Sequence, residues 1–125
     1  MSGYRFPFEK LEVWQDSRKL VKTIYELTER FPHGEKYGLV SQTNRAAVSV
    51  ASNLAEGSSR TSFRDQGHFS QLAYSSLMEL ACQLTLAVDI GFLTEEQFEP
   101  LRQSINRMAN QINALRISQI NRVSS

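Results

Sequence analysis

Polar side chains recur at intervals of three or four residues in two stretches of the sequence, and they are the first candidates for chemistry. At this spacing, side chains share one face of a helix. An Arg45–Glu79 pair buried between two helices, with Asn53 holding a backbone or hydroxyl group, would fix which helices are neighbours. The alternatives are a ligand pocket and a subunit contact, and we expect the structural network. Its members are Arg45, Ser49, Asn53, Glu56, Ser76 and Glu79.

A carboxylate-bridged metal site is the enzymatic chemistry that four helices support most readily, and the sequence lacks its ligands. Such a site needs Glu residues on inward faces, including two Glu-x-x-His pairs. The histidines are His33 and His68, and Asp65-x-x-His68 is the single weak match. Cys82 lies in an apolar pattern without a basic neighbour at helical spacing, so we expect a buried, unreactive side chain. The sequence therefore predicts no metal, no cofactor and no enzymatic activity.

The C-terminal part of the chain combines arginines with an absence of acids. Residues 100–125 include four arginines and neither Asp nor Glu, and Arg60 and Arg64 flank the loop expected between the second and third helices. Such a surface can contact phosphates, although no aromatic residue in 100–125 could stack on bases. The alternative is a solvated face balanced by acids elsewhere, in keeping with a net charge of +1. The candidates for nucleic-acid contact are Arg102, Arg107, Arg116 and Arg122.

Apolar residues repeat every three or four positions in four segments, which predicts four amphipathic helices. The first three cover about 11–31, 36–56 and 63–90, and the fourth follows Thr94. Gly57 and Gly91 are placed to end the second and third helices, and Ser62 and Thr94 are placed to cap the third and fourth. Short loops make successive helices antiparallel. The predicted fold class is therefore all-α, a single up-down-up-down antiparallel four-helix bundle.

The bundle is expected to occupy residues 11–118, between an N-terminal arm at 1–10 and a C-terminal tail at 119–125. Trp14, Val21 and Tyr25 form a second apolar stripe on the first helix, beyond what one bundle core needs. Exposed aromatic surface of this kind marks interfaces, so these residues are candidates for a subunit contact. The alternative is that Trp14 covers one end of the core.

The composition indicates a protein of the cytoplasm. The chain has 125 residues, enough to bury a core without disulfides or metal. No apolar run approaches the roughly 18 residues of a membrane span, and the N-terminus has no apolar signal-peptide core. A single cysteine is consistent with a reducing compartment. We therefore expect a cytoplasmic protein with no membrane partner.

Three stretches together resemble a known family over about residues 8–118. They read FEKLEVWQDSRKLVKTIYELTERFP, QTNRAAVSVASNLAEGSSR and FSQLAYSSLMELACQLTLAVDIGFLTEEQF. They are similar to the four-helix-bundle family of 23S rRNA intervening-sequence proteins, found as reading frames inside insertions in bacterial large-subunit ribosomal RNA genes. The resemblance implies one bundle per chain, a homopentamer with a central channel and no established enzymatic activity. Its most specific residues are Arg45, Ser49, Asn53, Glu56, Gly57, Ser76 and Glu79.

A related branch, the accessory variability protein of diversity-generating retroelements, looks similar in architecture and binds nucleic acid through a markedly basic surface. This chain departs from that branch in its near-neutral charge. The function expected from the resemblance and the arginines is an oligomeric scaffold, homopentameric, that associates with RNA or a ribonucleoprotein. The alternative is a protein–protein adaptor with no nucleic-acid role.

Overall fold

A computed structural model describes residue 3 and residues 5–123 of the chain. Four α-helices make up most of this part, and it contains no strand, which confirms the all-α prediction. The helices are α1 (Glu12–Thr28), α2 (Leu39–Ser58), α3 (Phe63–Asp89) and α4 (Glu95–Val123).

The helices form a closed square in chain order. Each helix packs against the next, and α4 packs against α1. Within the described residues, no Cα atoms of the diagonal pairs α1–α3 and α2–α4 lie within 8 Å of each other. The α2–α3 and α3–α4 pairs pack most closely, whereas α1 and α4 meet only briefly. The predicted up-down-up-down bundle is therefore confirmed.

The core follows the predicted apolar seams. Ile24 of α1, Val50 of α2 and Leu80 of α3 are completely buried, as is Ile112 of α4. Burying one such side chain stabilises the fold by roughly 1.5–3 kcal/mol. Leu72 is 37% exposed, because it lies on the outer side of α3.

Three of the four predicted helix-end residues, Ser62, Gly91 and Thr94, have the expected role. The Ser62 hydroxyl accepts a hydrogen bond of 3.1 Å from the backbone N–H of Asp65. At the start of α4, the Thr94 N–H donates to Gln97 Oε1 at 2.9 Å and the Gln97 N–H donates to Thr94 Oγ1 at 3.1 Å, a reciprocal capping box. Gly91 ends α3 with φ of 86°, a left-handed conformation that glycine adopts without a Cβ clash.

Gly57 does not end α2, contrary to the prediction. The helix continues through it to Ser58. A Cβ placed on Gly57 would lie 2.9 Å from Cβ of Phe69. This glycine is therefore required by the close approach of α2 and α3, and not by a left-handed turn.

The C-terminal segment predicted as a tail is helical as far as Val123. It stays helical because its residues pack on α3, where the Ser70 hydroxyl donates to Gln119 Oε1 at 2.7 Å. Residues 124 and 125 of the predicted tail, and 1, 2 and 4 of the predicted arm, lie outside the described residues. In the described part of the arm, Pro7–Lys10 forms a 3-10 turn that packs against α1 and α2.

Candidate nucleic-acid and subunit interfaces

A chain of hydrogen bonds joins the middle of α2 to α3. The hydroxyls of Ser49 and Ser76 lie 2.8 Å apart across the two helices. Asn53 Nδ2 donates to the Ser49 carbonyl oxygen at 2.9 Å and to its hydroxyl at 3.1 Å. Both serines are partly buried, so each hydroxyl depends on its partner in place of water. We call Ser49, Asn53 and Ser76 the polar seam.

The outer edge of this seam carries the Arg45–Glu79 pair. Arg45 Nη2 lies 3.6 Å from Glu79 Oε2. The Arg45 side chain is 65% exposed and the Glu79 side chain is 44% exposed, so the prediction of a buried pair is wrong. Positions 45 and 79 lie outside the buried faces of α2 and α3, so their side chains end at the rim of the contact. Glu56 is exposed, and within the described residues its carboxylate makes no hydrogen bond or ion pair. It therefore stands apart from the polar seam.

The stripe predicted as a subunit contact on α1 is only partly free. Trp14 and Val21 pack against the core. The rings of Trp14 and Phe8 make an edge-to-face contact with their centroids 4.7 Å apart. Tyr25 remains 46% exposed. The Thr28–Asn44 hydrogen bond of 2.9 Å sets an antiparallel register in which Tyr25 is within one residue of the level of Val48 of α2, itself 39% exposed. We call Tyr25 and Val48 the α1–α2 patch.

A second apolar surface lies on α3 and was missed from the sequence. Leu72, Leu86 and Ile90 are 37%, 48% and 55% exposed, and Cys82 is also exposed, contrary to the burial expected for it. The spacing of four between 82, 86 and 90 places these residues on one face, outside the inward face of α3. This spacing, offset from the inward face of α3, was the signal in the sequence that could have identified the surface. We call this surface the outer α3 stripe.

The four arginines of α4 do not form one surface. Arg102 contacts the carboxylates of Glu95 and Glu99 at 3.9 and 3.4 Å and lies 4.5 Å above the Phe98 ring. Arg107 and Arg116 are separated by about 2.5 helical turns, so they face opposite sides of α4. Arg107 lines the groove between α1 and α4, and Arg116 lines a cleft between α3 and α4.

The antiparallel order nevertheless gathers arginines at one end of the bundle. This end consists of the α2–α3 loop with the start of α3, residues 57–66, and the last turns of α4, residues 110–123. The single carboxylate in these ranges is that of Asp65, while Glu56 directly precedes them and Glu9 and Glu12 stand at the start of α1, at the same end of the bundle. We call the region the basic end. Its arginines are Arg60, Arg64, Arg116 and Arg122.

Two arginines of the basic end are held on aromatic rings. The Arg60 guanidinium lies 4.6 Å from the centroid of Phe69, and that of Arg122 lies 5.3 Å from the centroid of Phe63. Stacking on a ring fixes the guanidinium plane while its N–H groups remain directed along that plane. Phe69 also contacts the Gly57 position, so the close approach of α2 and α3 helps to place Arg60.

At the opposite end of the bundle, the α3–α4 side is acidic. The end of α3, its loop and the start of α4 span residues 89–99, which contain no Lys or Arg. The net charge of +1 therefore conceals an α3–α4 side that is basic at one end of the bundle and acidic at the other. Both charge clusters can be identified from the sequence once the antiparallel order of the helices is known. The acids are Asp89, Glu95, Glu96 and Glu99.

The groove between α1 and α4 is the second concave feature of interest. It has a volume of about 490 Å³. Its apolar lining comes from Leu20, Leu27 and Leu101, and charged side chains including Asp16 and Arg107 line it as well. The groove exists because α1 and α4 pack over a shorter length than the other neighbouring pairs.

The described residues hold neither a metal-binding cluster nor a membrane-spanning helix. No group of three or more His, Cys, Asp or Glu side chains within them is arranged to hold a metal ion. None of the helices in this part of the chain is long and apolar enough to cross a membrane.

A comparison with protein families gives one match. A family model described as 23S rRNA-intervening sequence protein matches residues 9–114. This range begins in the 3-10 turn before α1 and ends within α4, so it includes the first three helices and most of the fourth. Among curated proteins, no match is found.

Proposed function

The chain belongs to the family of 23S rRNA-intervening sequence proteins, and from this premise we propose that it is a non-enzymatic protein that forms a homopentamer and associates with RNA or a ribonucleoprotein. The observation that carries the RNA association is the basic end, where four arginines gather on the α3–α4 side and outnumber the neighbouring carboxylates of Glu56 and Asp65. Arginine suits phosphate because its planar fork donates two parallel hydrogen bonds.

The arginines differ in whether their charge is already paired with a carboxylate of the protein. Arg102 is already close to two carboxylates, which neutralise its charge locally. The Arg60 side chain, by contrast, has no ion pair within the described residues and is held on the Phe69 ring. A pentamer would bring five basic ends together, so weak phosphate contacts in each chain would add through multivalency.

Two separate apolar surfaces support a ring of subunits. In a closed ring each subunit contacts two neighbours through two different patches. The α1–α2 patch and the outer α3 stripe supply two such patches on different helices of one bundle. We propose that the α1 side of one subunit, with Tyr25 and the partly buried Trp14 and Val21, packs on the outer α3 stripe of the next.

Light scattering and RNA binding test the two parts of this proposal. The expected particle mass is five times the chain mass of 14.2 kDa, and a clean monomer at all concentrations would contradict the pentamer. Binding of a structured RNA hairpin is expected to weaken steadily as salt rises, because each phosphate contact releases counterions. Absence of binding at near-physiological salt, or binding that ignores salt, would contradict the RNA association.

The second candidate function is a protein–protein adaptor, favoured by the α1–α4 groove. An apolar lining with charged edges is the usual composition of a protein-binding surface. Thr23 and Ser104 line the groove without belonging to the buried core. Substituting either with Arg would obstruct the groove at little cost in stability. Recovery of one defined protein partner after nuclease treatment, lost in Thr23→Arg, would favour this function over RNA association.

A further inference from the structure

The cleft between α3 and α4 at the basic end has the features of a phosphate site. It has a volume of about 430 Å³ and is lined by Arg64, His68 and Gln71 from α3 and by Arg116 and Ile120 from α4. We propose that this cleft binds a phosphate group of a nucleotide or polynucleotide, with Arg64 and Arg116 as its principal donors.

The packing of α3 on α4 brings these side chains together. Residues 64, 68 and 71 share one face of α3 because they are three or four positions apart. Between them, Gly67 allows α4 to approach, since a Cβ at that position would lie 3.2 Å from Cγ1 of Ile120. The buried Ser70–Gln119 hydrogen bond of 2.7 Å fixes the register of the two helices. The two arginines therefore line the same cleft from neighbouring helices.

The charged donors of the cleft have no ion-pair partner in the described part of the chain. No ion pair in the described part of the chain includes Arg64, His68 or Arg116. The Nε atom of Arg116 is buried and has no hydrogen-bond partner among the described residues. Buried donors are almost always paired in folded proteins, so this N–H would gain an acceptor if the side chain turned toward a phosphate oxygen in the cleft. The nearest acidic side chain in sequence, Asp65, does not line the cleft.

The chemistry and size of the cleft favour a phosphate that carries an organic group. Two guanidinium groups and a side-chain amide offer several N–H donors, which match the several oxygens of phosphate. Ile120 and Val123 border the cleft and are each 43% exposed, so they offer apolar contact to a sugar or base. The volume of about 430 Å³ is more than a bare phosphate ion needs and falls in the range of small-molecule sites.

This inference deepens the proposed RNA association only where the phosphate belongs to RNA. A free nucleotide would bind the cleft even if the protein never met RNA. Inorganic phosphate, uridine 5′-monophosphate and a short RNA carrying a 5′-phosphate therefore serve as three separate probes. The full chain is titrated with each while the resonances of the Arg116 Hε and the His68 ring are followed by NMR.

Charge-matched variants identify the cleft as the site. The variant R64Q/R116Q is expected to weaken binding of all three probes at least tenfold. The control K22Q/K36Q loses the same charge on α1 and before α2, and it is expected to bind as the unmodified protein does. Arg116→Lys keeps the charge but removes the Nε donor, so it should also weaken binding. Circular dichroism confirms that each variant keeps its helical content.

The outcomes separate the two proposals. Binding of the nucleotide at the cleft without binding of RNA would support the inference and contradict the proposed function. RNA binding that is unchanged in R64Q/R116Q would overturn the inference and leave the proposed function standing. Equal weakening in K22Q/K36Q would also overturn it, because the effect would then reflect overall charge. No binding of any probe would overturn it outright.

Discussion

The hydroxyl of Ser49 on α2 lies 2.8 Å from the hydroxyl of Ser76 on α3. This contact joins the most closely packed pair of helices at mid-height. Asn53 donates to Ser49 from one turn further along α2, so Ser76 of α3 is tied directly to Ser49 and through it to Asn53. Such a pairing has one register only, since a shift of α3 by one turn would leave partly buried hydroxyls without partners.

Replacing Ser49 and Ser76 with alanine tests this coupling. Each single variant is expected to lose about 1 kcal/mol of unfolding free energy, because the remaining polar group loses its partner. The double variant should lose less than the sum of the single losses, with a coupling of about 0.5–1.5 kcal/mol. Urea unfolding of the four proteins measures this, and the cycle cancels the better helix propensity of alanine. Strict additivity would contradict the contact.

Glu79→Ala is expected to lower the free energy of unfolding by less than about 1 kcal/mol, because both side chains of the Arg45–Glu79 pair are exposed. A buried pair broken in this way would cost about 3–5 kcal/mol. Thermal unfolding at low and high salt measures the difference, and salt should remove most of the small effect. A large loss that salt does not change would contradict the exposed position of the pair.

Gly57→Ala is expected to destabilise the protein although alanine favours helices. The added Cβ would lie 2.9 Å from Cβ of Phe69, and overpacking of this kind costs about 1–3 kcal/mol. Gly34→Ala is a suitable control, because no heavy atom lies within 4 Å of its added Cβ. Denaturant unfolding compares the two variants. Stabilisation by Gly57→Ala would show that α2 and α3 are less closely packed at this point.

The arginines of α4 are expected to differ in RNA binding although the sequence grouped them together. Arg116→Gln should weaken binding and reduce the slope of log affinity against log salt by about 1. Arg102→Gln should change little, because Glu95 and Glu99 already neutralise this side chain. Binding of the RNA hairpin over a salt series measures both variants. If the two substitutions weaken RNA binding equally, the RNA is attracted by the overall electrostatic field of the protein and not by a defined surface.

Tyr25→Arg and Leu86→Arg are each expected to dissociate the proposed ring, since each places a charge in one of the two apolar surfaces. Mixing the two variants should restore one intact contact, because one variant retains the outer α3 stripe and the other retains the α1–α2 patch. Native mass spectrometry should then detect a heterodimer and no larger ring. A pentamer that survives either substitution would contradict the proposed contact.

The sequence by itself determined the helices, their caps and most of the core. Periodicity of three and four identified buried residues such as Ile24 and Ile112, because one face of a helix must leave water. Ser62 and Thr94 marked the starts of α3 and α4, since their side chains satisfy nearby backbone N–H groups. These are local relations, set by residues close in the chain.

Features that depend on the contact between two helices were decided only by the tertiary structure. It placed Arg45 and Glu79 at an exposed rim, and it gave Gly57 a role in close packing in place of a helix end. It also extended α4 over α3 and assembled the cleft around Arg64 and Arg116. Each of these follows from the distance and register between two helices, which no periodicity within a single helix specifies.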